Sequence, residues 1–414
     1  MASEVRHLMQ ESSAPAAPTA GLSDLDPRPA APGPSASAEA GPPSPDLTGT
    51  AAGGPSGGTS ATGCAGPAAP GAWKQILRRA VRDPDILIDR LGLPDDLRPG
   101  ARRAATEFPL VVPEGFLARM RIGDPSDPLL RQVLPIDVEC EAAPGFRTDP
   151  LGEASATRAP GLLHKYPGRV LLIVAGMCAV SCRYCFRRHF PYDEAPSDFR
   201  AWEPAFAALA ADPSVEEVIL SGGDPLMRSD PWLADLVRRL EAISHLRRLR
   251  IHTRLPILIP ERVDDALLGW LTATRLSPWV VVHANHPAEI DAAVGAALER
   301  IVRAGVPVLN QSVLLAGVND APEVLAELST RLLEHRVTPY YLHQLDPVTG
   351  AAHFQVPEAR GREIVAALRR RLPGYGVPRY VKEVAGELHK REIGDAPVGE
   401  PSGRSSERAD ADGQ

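Results

Sequence analysis

From Arg169 onward the chain repeats one pattern: a short apolar run, a polar cluster, then a longer stretch with apolar residues at helical spacing. Six runs read as buried strands: Arg169–Val174, Glu217–Leu220, Leu249–His252, Val280–His283, Val306–Asn310 and Pro339–Leu342. Helical patterns such as Trp232–Ile243 and Val324–Leu333 separate them. Strands alternating with helices argue for an α/β fold with a parallel sheet. The carboxyl end of every run carries polar or special residues. Cysteines follow the first, Ser221-Gly222-Gly223-Asp224-Pro225 the second and His252-Thr253-Arg254 the third. His283-Ala284-Asn285-His286, Asn310-Gln311-Ser312 and Leu342-His343-Gln344-Leu345-Asp346 end the others. Parallel α/β folds build their sites at the carboxyl ends of the strands. Six clusters on one side predict a single active-site mouth on a partial (β/α)6 barrel.

Ahead of the barrel, Trp73, Ile76, Leu77, Val81, Ile86 and Leu91 recur near helical spacing, with a break at Asp83-Pro84. A second helix is expected around Phe116, Leu117 and Met120. Residues 73–160 are therefore expected to form an N-terminal helical segment packed on a core of residues 161–394. Residues 1–72 are crowded with Ala, Pro, Gly, Ser and Thr and hold few large apolar side chains. Such a stretch cannot bury enough surface to offset its ordering entropy, so it is expected to be disordered. Residues 395–414 carry the same expectation.

A hydrophobic fraction of 44% is ordinary for a globular protein. The net charge of −7 argues against a broad nucleic-acid surface. No apolar run approaches the roughly 20 residues that cross a bilayer. The first residues show no basic segment followed by an apolar one, so no secretory signal is expected. Five cysteines, three of them clustered, suit a reducing cytosol better than a disulfide framework, and a cytoplasmic location is expected. Cys64 and Cys140 stand apart from the cluster and are expected to bind nothing.

The cluster is Cys178, Cys182 and Cys185, a C-x3-C-x2-C run after the first strand. Three thiolates so placed can hold three irons of a [4Fe–4S] cluster and leave the fourth open to a small molecule. Spacing alone leaves two other readings open. His189, four residues after Cys185, could complete a Cys3His zinc site. A disulfide would leave one cysteine over.

Longer motifs narrow the choice. The cysteine loop followed by Gly-Gly-Asp-Pro after the second strand resembles radical S-adenosylmethionine (SAM) enzymes. His164-Lys165-Tyr166-Pro167-Gly168-Arg169, Cys185-Phe-Arg-Arg-His-Phe-Pro-Tyr192, Asn310-Gln-Ser-Val-Leu-Leu and Pro339-Tyr-Tyr-Leu-His-Gln-Leu-Asp346 resemble lysine 2,3-aminomutases. Asp127-Pro-Leu-Leu-Arg-Gln-Val and Gly350-Ala-Ala-His-Phe354 resemble a branch that makes β-lysine for translation elongation factor P. The resemblance spans about residues 72–393.

The resemblance implies an isomerase with three cofactors: the [4Fe–4S] cluster, SAM and pyridoxal phosphate. SAM would bind the open iron and, after reductive cleavage, yield the radical that takes hydrogen from C3 of lysine. Pyridoxal phosphate would carry the migrating nitrogen. Cys178, Cys182 and Cys185 would hold the cluster. Gly222 and Gly223 would let the backbone approach the methionine part of SAM, Asp224 would pair with its ammonium, and His283 would contact the same molecule. Lys390 would anchor pyridoxal phosphate, with Lys382 as runner-up, and Lys165, Arg169 and Gln311 would lie near its phosphate. Only Gly386 remains of the glycine run that precedes this lysine in several aminomutases. Arg187 would grip the substrate carboxylate, with Arg188 as its neighbouring competitor. Asp346 and Glu383 would face the far ammonium of lysine; Glu383 stands where catabolic aminomutases have Asp. Expected partners are free lysine, a flavodoxin- or ferredoxin-type reductant, and, functionally, elongation factor P and its lysyl ligase. Homo-oligomerisation stays open. The alternatives are the same isomerisation serving lysine catabolism or β-lysine accumulation and, in another class, a zinc-stabilised binding scaffold.

Overall fold

The alternation of apolar and polar positions along each strand sorts side chains to two faces. In Arg248-Leu-Arg-Ile-His-Thr, Leu249 and Ile251 are fully buried, while Arg248, Arg250 and His252 face a central cavity. The computed structural model describes residues 71–394, all within one compact unit. The expectations for residues 1–70 and 395–414, and Cys64 with them, lie outside the described residues.

Ten strands form one sheet in chain order: β1 (Thr157–Ala159), β2 (Leu162–Tyr166), β3 (Arg169–Ala175), β4 (Glu217–Gly222), β5 (Arg248–Thr253), β6 (Ser277–Val282), β7 (Val308–Val313), β8 (Thr338–His343), β9 (Arg379–Lys382) and β10 (Arg391–Glu392). Neighbours from β3 to β9 pair in parallel. The register aligns Leu171, Ile219, Arg250 and Trp279 across four strands, and this row lines the cavity. Their sequence neighbours Leu172, Val218, Leu220 and Leu249 point outward and are fully buried. Helices Phe199–Ala211, Asp230–Glu241, Ala292–Arg303, Pro322–Glu334 and Glu358–Arg371 lie between successive strands and bury residues such as Trp202, Leu236, Leu298, Leu328 and Ile364. Each such apolar side chain contributes about 1.5–3 kcal/mol on burial.

The six expected strands are β3 to β8, shifted by up to three residues at their ends. Four further strands frame them. β1 and β2 form an antiparallel hairpin onto β3, β9 is a seventh parallel strand, and β10 returns antiparallel to it. β1 and β10 are two to three polar or small residues long, too short to show alternation in sequence. Among the described residues no strand pair joins the two ends of the sheet, so the barrel stays open there.

The N-terminal segment begins with α1 (Ala72–Arg78), α2 (Pro84–Leu91) and α3 (Arg98–Glu107). The predicted break at Asp83-Pro84 is a helix start: the Asp83 side chain accepts from the Asp85 amide and Pro84 opens the first turn. The helix expected around Phe116, Leu117 and Met120 is a single turn, Glu114–Leu117.

Candidate active site

Inside the open barrel, along the strands and up to their carboxyl ends, lies a cavity of about 650 Å³. Its walls include Cys178, Cys182, Cys185, Gly222, Gly223, Asp224, His283, Lys165, Arg169, Gln311, Arg187, Asp346, Glu383 and Lys390, but not the competing candidates Lys382, Arg188 and His189. These come from β2 through β10 and the loops between, so the sheet converges chemistry that is spread over more than 200 positions of chain.

The cysteine loop follows β3. Cys178 opens onto the cavity, and Cys182 and Cys185 are half-buried. Burial, and then the neighbouring Cys182, push the Cys185 thiol up to about 12; burial and Cys185 also raise Cys178. A bound cation would reverse that preference for the neutral thiol. His189 is exposed, is not in the cavity wall, and sets its Nε2 on the Thr349 carbonyl at 3.2 Å. The fourth ligand of a Cys3His zinc site is thus turned to another partner, which removes the support for the zinc reading.

The loop is pinned from behind. Arg183, fully buried, gives Nε and Nη2 to Glu139, and Arg188 adds Nη2 to the same carboxylate at 3.0 Å. Arg188 is therefore spent on Glu139, whereas Arg187 lines the cavity. The Arg187 fork is occupied too: Nε and Nη2 meet Glu153 at 2.8 and 2.7 Å, and Nη1 donates to Ser221 Oγ at 2.9 Å. Glu153 carried no recognisable pattern in the sequence.

The β4 loop departs from expectation in its physical reason. Gly222 has a φ of 124°, and a Cβ there would stand 2.4 Å from the Ala175 carbonyl oxygen. A Cβ on Gly223 would stand 2.3 Å from that of Met177. Both glycines are demanded by the close packing of this loop on the cysteine loop, where Gly223 N donates to Ala175 and Asp224 N to Met177. Asp224 also differs. Its carboxylate accepts from Leu226 N, Thr253 Oγ1, Arg254 N and Leu255 N, at 2.7–3.1 Å. Those partners tie β4 to β5 and already engage the carboxylate that was expected to meet an ammonium.

At the other end, Lys165 Nζ meets Glu383 Oε1 at 2.5 Å, and Lys390 Nζ meets Glu383 Oε2. Glu383 follows β9 and Lys165 sits on β2, so this trio bridges the open edge of the barrel. Burial alone would raise the Glu383 carboxyl, but Lys390 and then Lys165 outweigh it and hold it well below the usual range. Asp346 shares the space and behaves oppositely: burial, and then Glu383, push it up to about 7. Lys382 Nζ pairs instead with Glu358 at 2.5 Å and does not line the cavity, which separates it from Lys390.

Between the two ends, His283 Nε2 faces the Gln311 side-chain amide at 2.8 Å, linking a residue expected at SAM to one expected at pyridoxal phosphate. Burial lowers His283 and His343 to about 3 and drives His252 well down, which favours the neutral imidazole at each. The buried Nε2 atoms of His252 and His343 have no hydrogen-bond partner among the described residues and belong to cavity-lining side chains. Both histidines lie at the carboxyl ends of β5 and β8, in polar clusters that were visible in sequence although the individual roles were not.

Comparison with known proteins accords with this geometry. A model described as the radical SAM superfamily matches residues 172–328. The L-lysine 2,3-aminomutase of Haemophilus influenzae is 47% identical over 318 residues, covering 77% of this chain and 94% of that protein. The protein of the same name from Escherichia coli is 48% identical over 319 residues, covering 77% and 93%. That of Acetoanaerobium sticklandii is 35% identical over 316 residues, covering 76% of each chain. With its cysteine loop and its lysine–glutamate trio in one cavity, the chain belongs to the lysine 2,3-aminomutase family, radical SAM isomerases whose cofactors are a [4Fe–4S] cluster, SAM and pyridoxal phosphate.

Proposed function

We propose that the chain converts free L-α-lysine to β-lysine and that the product serves the modification of elongation factor P. The observation that carries the first part is the shared cavity. Three cysteine thiols line one end, and Lys165, Glu383, Lys390 and Asp346 gather at the other. Support for the second part comes from local sequence: the chain carries the Asp127–Val133 and Gly350–Phe354 segments that resemble the elongation-factor branch.

The donor sets fit the cofactors. Three thiols with no disulfide suit a cluster with one open iron. Two orphaned imidazole nitrogens and the cations Lys165 and Arg169 suit a phosphorylated pyridine. When bound, the three cofactors supply the radical and nitrogen-carrying chemistry that no side chain can.

The protein's own residues then have these tasks. Cys178, Cys182 and Cys185 hold the cluster, and Lys390 anchors pyridoxal phosphate. Lys165, Arg169 and Gln311 fix the phosphate end. Arg187 receives the substrate carboxylate, which must share or displace Glu153. Asp346 and Glu383 receive the far ammonium; a Lys390 drawn away to hold the cofactor would leave free the Glu383 oxygen that it meets here. A flavodoxin- or ferredoxin-type protein supplies the electron.

The test is anaerobic incubation of reconstituted enzyme with L-lysine, SAM, pyridoxal phosphate and dithionite, followed by chiral amino-acid analysis. β-Lysine is the expected product; its absence from iron-loaded enzyme rejects the reading. Addition of elongation factor P and its lysyl ligase should then give a mass gain on the factor. β-Lysine made but never transferred would favour the catabolic alternative.

A further inference from the structure

Beneath Cys182 lies a buried polar knot that the reaction as described does not use. Its centre is Arg254, at the end of β5 and 5% exposed. Nη1 donates to Cys182 Sγ at 2.8 Å. Nη2 donates to Glu289 Oε2 at 2.8 Å and to Gln132 Oε1 at 2.7 Å. Glu289 and Gln132 are fully buried, and Asn285 is 1% exposed. Glu289 Oε1 accepts from the Asn285 and His286 amides and from Gln132 Nε2. Asn285 Nδ2 donates to Gln132 and to Tyr184 Oη. Arg254 has a second link, because its backbone amide donates to Asp224 at 2.7 Å. One residue thus touches both a cysteine sulfur and the loop that follows β4.

A buried charge is costly unless paired, and a neutral donor could have filled this space. The guanidinium is retained against a sulfur, with a single carboxylate balancing it. Hydrogen bonds and positive charge at the sulfurs favour the more negative, reduced form of an iron–sulfur centre. Reduction is the step this chemistry must begin with, and it adds one negative charge close to Cys182.

We propose that Arg254 is a positioning residue that raises the reduction potential of the cluster held by Cys178, Cys182 and Cys185, and that Glu289 sets how far it does so. This rests on the assignment of those cysteines as cluster ligands. Removing the guanidinium lowers the potential. Removing the opposing carboxylate while keeping the guanidinium raises it.

The test uses full-length reconstituted enzyme as wild type, Glu289→Gln, and Arg254→Gln/Glu289→Gln, the double variant leaving no unpaired buried charge. Iron and sulfide are counted first. Each sample is then poised with dithionite or titanium(III) citrate at a series of potentials, and the reduced cluster is read by electron paramagnetic resonance. A midpoint more negative than wild type in the double variant, and more positive in Glu289→Gln, at full iron content, is the expected result. Midpoints that do not move, or that move in the same direction, overturn the proposal. Loss of iron in both variants also overturns it, since Arg254 would then serve only to build the site. Cys182→Ala with full iron content would instead overturn the ligand assignment.

Discussion

The two ends of the cavity are built in different ways. The cysteine end is local in sequence and over-determined in space: the three thiols fall within eight residues. Their loop is held by Glu139 through two arginines, by Arg254 at Cys182, and by the close-packed Gly222 and Gly223. The lysine end is assembled from far apart. Lys165 and Glu383 are separated by 218 positions, and their contact spans the edge that the strands leave open. The difference suits two tasks. A metal cluster needs fixed ligands, whereas a lysine that must release its partner needs contacts that can be exchanged.

The largest effects should come from the cysteine end. Alanine at Cys178, Cys182 or Cys185 should remove most of the iron and all activity, while Cys140→Ala should keep both. Iron analysis with a turnover assay decides, and a fully loaded Cys182→Ala would break the division between the ends. Lys390→Ala should keep its iron yet lose turnover by about 10²–10⁴-fold, the scale for a group acting at the reacting atoms. Loss of iron in that variant would mean the ends are not independent.

Glu139→Gln sharpens the comparison by weakening only the backing of the cysteine loop. It leaves Arg183 and Arg188 buried without a counter-charge, which should cost about 3–5 kcal/mol in denaturant unfolding. An unchanged unfolding midpoint would show that the ion triad adds no rigidity.

The smallest effect is a pH dependence of the lysine end. Asp346, pushed up to about 7 by burial and then by Glu383, against the pull of Lys390 and Lys165, keeps its proton below that pH. Pairing with a substrate ammonium requires the proton to leave. Lysine affinity should therefore fall as pH drops below about 7, by up to about tenfold per unit, and level off above it. The same raised value means the folded form holds a proton that the unfolded chain lacks between about pH 4 and 7. This group's contribution to stability is thus lost as pH rises through that window. The pH profile of KM for lysine, in wild type and Asp346→Asn, checks the sign; an affinity independent of pH in the wild type would remove Asp346 from the ammonium site.

Much of the architecture was legible because β3 to β8 are apolar runs that end in polar clusters. β1, β9 and β10 were not, because strands of two to four residues are too short to show an alternation of their own. The cysteine spacing pointed to a metal from sequence alone. The lysine end required the family resemblance, since a lone Lys390 in a polar segment has the appearance of solvated surface. The roles of Glu153 and of Arg254, the latter visible only as part of a polar cluster, were not legible for a related reason: their meaning lies in what tertiary contact sets against them, Arg187 for one and Cys182 for the other. Gly222 and Gly223 were read as room for a ligand, and the structure shows that the neighbouring backbone claims that room first.

The central claim is that Lys390, brought to Glu383 and Lys165 across the open edge, anchors pyridoxal phosphate in the cavity lined by the cysteines. Borohydride reduction of the holoenzyme, then proteolysis and mass spectrometry of the labelled peptide, tests it directly. The cofactor's mass on Lys390 alone is the expected result. Label on Lys165 or Lys382, or no labelled lysine in active enzyme, would contradict it.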